Sequence, residues 1–224
     1  MTAAAIAGGI ERRVVRWVGR WPFWAILVGA SFAFPVIRAM TVLTPTPPPV
    51  LGRVSSFSLV DSESRPFGTA DLRGKVWVAN FVFTRCPTIC PSFMERMADV
   101  RHRTRNLGDA FRLVTFTVDP ENDTPERLAE YGRRFRVSPR RWHLVTGPEP
   151  DVRRVVVDAM KIAMGREESA RARAMDPTTG IFHGTKFVLV DGQSRIRGYY
   201  DPSDEGVDHL LADVGILVNV HGDR

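Results

Sequence analysis

Residues 76–91 read VWVANFVFTRCPTICP. Val76–Phe83 is an almost unbroken apolar run, the pattern of a strand buried on both faces. The next eight residues turn polar and hold both cysteines of the chain, Cys86 and Cys90, four apart and each followed by a proline. Loops at the carboxyl ends of buried strands are where α/β sheets place ligands. Pro91 disfavours the α conformation at Cys90, so the spacing predicts a helix that starts at Pro91 with Cys90 capping it. A thiol there feels the positive helix end and is more acidic than a free cysteine. Two thiols on one turn suit a soft-metal site, a redox disulfide or plain core packing. The gap is not that of a Cys-x-x-Cys redox pair, and two ligands are too few for a structural zinc site unless others arrive from afar.

Outward from this stretch the chain alternates. Phe57–Val60 and Pro66–Leu72 predict a short hairpin region before it. After it come a helix over Ser92–Leu107, a strand over Phe111–Val118 and a helix over Pro125–Phe135 started by Asp123 or Thr124. His143–Val145 reads as a strand and Asp151–Met164 as a helix, and the polar, Arg-rich segment Arg166–Gly180 reads as a loop. Lys186–Val190 and Ile196–Tyr200 flank the turn signal Asp191-Gly192, and Glu205–Val218 closes as a helix. The order implies one α/β domain with a central mixed sheet and helices on both faces. No internal repeat is present.

The chain has 224 residues, 31 basic against 25 acidic, with 44% hydrophobic and 25% charged residues. That composition excludes a disordered or collagen-like chain, and two cysteines exclude a multi-bridge secreted scaffold. The net charge of +6 raises the question of nucleic acid. Five arginines (Arg12, Arg13, Arg16, Arg20 and Arg38) and a single acid, Glu11, lie in the first 40 residues, leaving the rest nearly balanced. With no nucleic-acid motif in sight, the basic excess belongs to the N-terminus and not to a groove-reading face.

Trp21–Ile37 carries no charge, and as a helix it would be about 25 Å long, at the short end of a bilayer span. With Arg38 snorkelling, the anchor extends to Leu43. Four arginines before the run and one after predict the N-terminus inside and everything downstream outside. A cleaved signal peptide or a buried helix are the competing readings. Trp21, Pro22 and Trp24 crowd the start of the first, and an all-round apolar surface argues against the second. The expected organisation is a basic N-terminus (1–20), a membrane anchor (21–43), a Pro-rich spacer (44–51) and a folded domain (52–224).

Over most of residues 52–218 the sequence resembles the Sco/SenC family of copper-binding proteins of respiratory membranes. The resemblance lies in Asp71-Leu72-Arg73-Gly74-Lys75, in Asn80–Pro91, in Val118-Asp119-Pro120-Glu121-Asn122-Asp123-Thr124-Pro125, and in His183 eight residues before Asp191. It implies a thioredoxin-like fold in which Cys86, Cys90 and His183 together bind one copper. Thiolates select Cu(I), and an added imidazole can retain Cu(II). Asp119 matches a family acid near the site, which implies a role beside the ligands. His102, His143, His209 and His221 match nothing and read as surface or packing residues, while Met94 and Met97 read as core. Thr88 and Phe182 stand where the family often has acids.

Three functions follow from the resemblance. The first is a copper chaperone serving the dinuclear copper centre of a terminal oxidase. The second is a thiol–disulfide oxidoreductase that keeps the cysteines of that centre, or of another partner, reduced. The third is a copper or redox sensor acting through protein contacts. Thioredoxin-like reductases carry a cis-proline where Thr185 stands here, which favours metal over disulfide exchange. Whether the chain is also an enzyme stays open. Expected partners are the copper-bearing oxidase subunit, a copper donor, a thioredoxin-like thiol reductant and the membrane. The expected location is a bacterial plasma membrane with the folded domain in the periplasm. The alternative is a mitochondrial inner membrane facing the intermembrane space.

Overall fold

The computed structural model describes residues 21–42, 46–166 and 181–222. The expected basic segment 1–20, Leu43, the first two residues of the spacer and residues 167–180 of the expected loop lie outside them. The chain divides into two units, Met1–Thr46 and Pro47–Arg224. In the first, helix α1 (Trp21–Val42) carries no charge from Trp21 to Ile37, with Arg38 following. Its 22 residues span about 33 Å, long and apolar enough to cross a membrane.

The second unit is built on an eight-stranded mixed sheet in the order β1-β10-β9-β4-β5-β6-β2-β3. Its strands are β1 (Gly52–Arg53), β2 (Ser58–Asp61), β3 (Pro66–Gly68), β4 (Val76–Val82), β5 (Phe111–Thr117), β6 (Trp142–Thr146), β9 (Phe187–Val190) and β10 (Arg195–Tyr200). Strands β4, β5 and β6 run parallel, and β9 pairs antiparallel to β4. Every residue of β4 and β5 is buried, so both faces of the sheet are covered, as the apolar run at 76–83 requires. A separate two-stranded ladder joins β7 (Met164–Arg166) to β8 (Ile181–His183).

Helices α2 (Ile89–Arg103), α3 (Pro125–Arg134), α4 (Glu149–Arg153) and α5 (Asp204–Gly222) complete the fold. Helix α2 lays Phe93, Met94, Met97 and Val100 into the core, confirming the two methionines as packing residues. A polar thread crosses that interface. Trp142 Nε1 donates to Thr115 Oγ1, whose hydroxyl donates to Asn80 Oδ1, and Asn80 Nδ2 reaches the Met94 sulfur. Satisfying these buried groups in one chain fixes the register of three strands against α2.

The main departures from the expected boundaries lie at both ends of α2 and after α4. The α2 helix begins at Ile89, not Pro91, because a first-turn proline gives up only an amide with no helical acceptor. It ends at Arg103, where Thr104 turns its hydroxyl onto the Val100 carbonyl, and Leu107 lies in a separate 3-10 turn, Arg105–Ala110. The helix expected over Asp151–Met164 breaks up after Arg153. The consecutive β-branched residues Val155, Val156 and Val157 sit in a wide π-type turn, and Met164 opens strand β7. Of the two residues expected to start α3, Thr124 is the cap, accepting the Arg127 amide, and Asp123 is free for the site.

Candidate metal centre

Strand β4 delivers the chain into the site. Phe83 is buried, and its carbonyl accepts the Cys86 amide, closing a tight turn directly after the strand. Thr88 is the residue before α2, placing Cys90 and Pro91 in the first helical turn. The Cys90 amide is one of the donors that a helix start leaves unpaired, and Cys86 Sγ accepts it at 3.4 Å. Both cysteines are free thiols, Cys86 7% exposed and Cys90 fully buried.

The second half of the site arrives 93 residues later. His183 ends β8 opposite Met164, with its ring edge-to-face on Phe83 at 5.8 Å. Its Nε2 lies 3.5 Å from Cys90 Sγ, and its Nδ1 lies 3.2 Å from the Gly184 carbonyl. A carbonyl only accepts, so this contact assigns the proton to Nδ1 and leaves the Nε2 lone pair facing the sulfur. Gly184 holds its place by close approach. Its amide donates to the Ala163 carbonyl, and a side chain there would press on Ile162 at 3.2 Å.

The electrostatics separate the two thiols. A hydrogen bond from Cys90, aided by backbone amides of the helix start, pulls the Cys86 thiol down to about 5. The same bond and burial push Cys90 far upward, keeping it protonated. Burial holds His183 below the usual histidine range, hence neutral. The result is one thiolate, one thiol and one imidazole lone pair, gathered beneath a helix N-terminus.

The spacing suits an ion between Cys90 and His183. Bonds of about 2.3 Å to sulfur and about 2.0 Å to nitrogen, meeting near 110°, span about 3.5 Å. Among the described residues no group of three or more His, Cys, Asp and Glu side chains is arranged to hold an ion outright. Cys86, hydrogen-bonded to both the side chain and the amide of Cys90, is the third donor at hand.

Two acids brace the cysteine turn. Asp119, 2% exposed, receives Arg85 Nη2 at 2.6 Å and Nε at 3.2 Å, and accepts Asn122 through its other oxygen. It reaches the cysteines through Arg85 and not directly. Asp123, fully buried, accepts the Thr84 amide at 3.1 Å, the Thr84 hydroxyl at 2.5 Å and the Thr117 hydroxyl at 2.5 Å. It ties the end of β5 to the residue that opens the cysteine turn. The sequence had suggested Asp123 only as a helix starter, and the signal for its role was the Asp-x-x-x-Asp spacing with Asp119. Tyr131 on α3 was also missed: buried, its hydroxyl without a hydrogen-bond partner among the described residues, it feels the charges of Cys90, Cys86 and Asp123. Thr88 lies exposed beside the turn, and His143 packs far off as a ring stacked on Phe67.

Comparison with known proteins matches this arrangement to one family. The SCO1/SenC family profile covers residues 50–219. The chain is 25% identical over 168 residues to the SCO1 protein homologue of Bacillus subtilis, covering 74% of this chain and 83% of that protein. A solved SCO1/SenC family lipoprotein of Bacillus anthracis superposes with a TM-score of 0.66 at 29% identity, covering 74% of this chain and 95% of that one. The structure of Bradyrhizobium japonicum ScoI with copper bound shares the fold, with a TM-score of 0.62 at 20% identity over 74% of this chain and 99% of that one. The fold is therefore thioredoxin-like, and the chain belongs to the SCO1/SenC family.

Proposed function

We propose that this chain is a membrane-anchored copper carrier. In this reading Cys86, Cys90 and His183 take one copper ion and pass it to the dinuclear copper centre of a terminal oxidase. The observation that carries it is the 3.5 Å contact between Cys90 Sγ and His183 Nε2, residues 93 apart brought to ion-bridging distance. Support also comes from a family neighbour solved with copper bound and from the naming of Sco proteins as cytochrome c oxidase assembly proteins.

Each residue has a distinct task. Cys86 is the thiolate that captures the incoming ion, since it is both the more exposed and the more acidic sulfur. Cys90 gives up its proton as it coordinates, and the two sulfurs suit Cu(I). His183 adds a nitrogen already turned to the site by the Gly184 carbonyl, which suits Cu(II) as well. Three donors leave a position open for a ligand of the recipient, so the ion can leave by exchange. Arg85, held by Asp119, and Thr84, held by Asp123, keep the turn in place. The arginines of the N-terminus and α1 give an anchored chain with its folded unit outside a bacterial plasma membrane, or in the mitochondrial intermembrane space.

A second reading rests on the acidic Cys86 beside a protonated, buried Cys90, the arrangement of an attacking and a resolving thiol. Two thiols here would reduce a partner disulfide to two thiols and end as a Cys86–Cys90 disulfide, with the protons balanced across the exchange. Anaerobic copper titration of the full chain in nanodiscs separates the readings. The carrier reading requires one copper per chain, lost in Cys86→Ser/Cys90→Ser. Rapid reduction of a disulfide peptide that is indifferent to His183→Ala, with no copper uptake, would replace it.

A further inference from the structure

A cavity of about 350 Å³ opens beside the cysteine turn, lined by Thr84, Arg85, Arg127, Glu130, Tyr131 and Arg134. Its far wall is one face of α3, since residues 127, 130, 131 and 134 follow the i, i+3, i+4, i+7 spacing of a single helical stripe. Its near wall is Arg85, adjacent to Cys86. Three guanidinium groups therefore line this cleft beside one lining carboxylate, Glu130; Arg85 is already paired with Asp119, which leaves Arg127 and Arg134 to set the positive balance. The floor supplies a second, independent feature. Tyr131 is 5% exposed and its buried hydroxyl has no partner among the described residues. A buried hydroxyl without a partner is unfavourable, a penalty that a ligand oxygen arriving in the cleft would remove. Arg85 and Arg127 are already oriented, the first by Asp119 and the second by a bond to the Asn122 carbonyl. A guanidinium so held loses little freedom when it pairs with a planar anion.

We propose that this cleft is a docking site for acidic side chains of the polypeptide that meets Cys86. Its guanidinium groups would take Asp or Glu carboxylates flanking the partner's own reactive or metal-ligating residues. The choice of a polypeptide over a free acid rests on placement. The cleft is lined by Thr84 and Arg85 of the cysteine turn, and the same turn leads into Ile89, a large apolar side chain left 47% exposed, so an extended chain carrying acid and apolar residues can meet both features of one turn. The inference deepens the reading above by naming the chemistry of the partner surface. Binding there needs no copper, so a chain that takes up no copper can still bind an acidic peptide.

The test uses the full reduced chain in zwitterionic-lipid nanodiscs, without copper. The probe is a fluorescent, end-blocked nonapeptide bearing three Glu residues and one Leu, compared with its Gln counterpart and with free succinate. The Glu peptide should bind and weaken as salt rises, and Arg127→Gln/Arg134→Gln should weaken it roughly tenfold. Tyr131→Phe should weaken it by a smaller factor, while Arg73→Gln/Arg140→Gln, two exposed arginines elsewhere, should leave it unchanged. Equal binding of the Gln peptide overturns the proposal, as does an equal loss in the Arg73/Arg140 control. Succinate displacing the peptide at matched carboxylate concentration would make the cleft a free-acid site and overturn the docking role.

Discussion

The two halves of the site are held in different ways. The sulfur half continues the most buried strand of the sheet, turns over a buried carboxylate with three hydrogen bonds, and ends in the first turn of a core helix. The imidazole half stands on a three-residue strand that, among the described residues, pairs with β7 alone, outside the main sheet, and is located by a carbonyl, a glycine contact and one ring edge. The thiols are set by the central sheet and a core helix, whereas His183 is set by a separate two-stranded ladder that reaches the core only through Met164 and Ile181. A carrier gains from this division. The sulfurs keep the ion, and movement of one nitrogen can change which oxidation state is retained.

The comparison predicts unequal responses. Removing either sulfur should have the largest effect: Cys86→Ser or Cys90→Ser should weaken anaerobic Cu(I) binding by about a thousandfold or more, roughly 4 kcal/mol, measured by competition with a chromogenic chelator. A value within tenfold of the parent would mean that the ion is not held by this pair. Next comes the brace. Asp123→Ala strands the Thr84 amide and two hydroxyls, and should cost about 3 kcal/mol of unfolding free energy. A denaturant titration unchanged within about 0.5 kcal/mol, the range of ordinary surface changes, would show that the turn does not depend on it. The matching change on the other side, His183→Ala, should move stability by less than about 1 kcal/mol.

The smallest effect is a displaced pH profile. In the reduced, metal-free chain Cys86 should react with iodoacetamide at a nearly constant rate as pH falls from 8 to about 6, then lose reactivity through about 5. The sign follows from the lowered thiol: the reactive thiolate persists until pH drops below its own pKa, and Cys90, pushed the other way, stays unreactive throughout. A Cys86 profile falling already from about pH 8.5 would place it with ordinary thiols and remove its role as the capturing sulfur.

The sheet and the sulfur half were legible because they are local. An all-apolar run, a Cys-Pro pair at four-residue spacing and an Asp-Gly turn each act over a few residues, and Val76–Val82, Ile89–Arg103 and Phe187–Tyr200 form where those signals stand. The Asp191–Ser194 turn packs so closely that a side chain at Gly192 would meet the Gly74 backbone at 2.8 Å. The ladder under His183 was not legible. Met164 reads equally well as the end of a helix, and what decides against it is crowding along Val155-Val156-Val157 together with pairing to a strand 17 residues on. Local rules left Asp123 and Thr124 as equal candidates for the start of α3, because an acid before Thr-Pro is a good helix start. Only the fold reveals that Thr84 and Thr117 compete for its oxygens and win. The resemblance to the Sco/SenC family supplied His183, which no spacing within the chain would have singled out.

The measurement closest to the central claim is a paired titration of the full chain and its His183→Ala variant with Cu(I), and then with Cu(II), under anaerobic conditions. The account predicts one copper per chain in the parent, with Cu(I) affinity reduced about tenfold or less in the variant and Cu(II) affinity reduced by about a hundredfold or more. Equal losses for both ions would contradict the division between a fixed sulfur pair and a movable imidazole, and no copper bound by the parent would contradict the carrier itself.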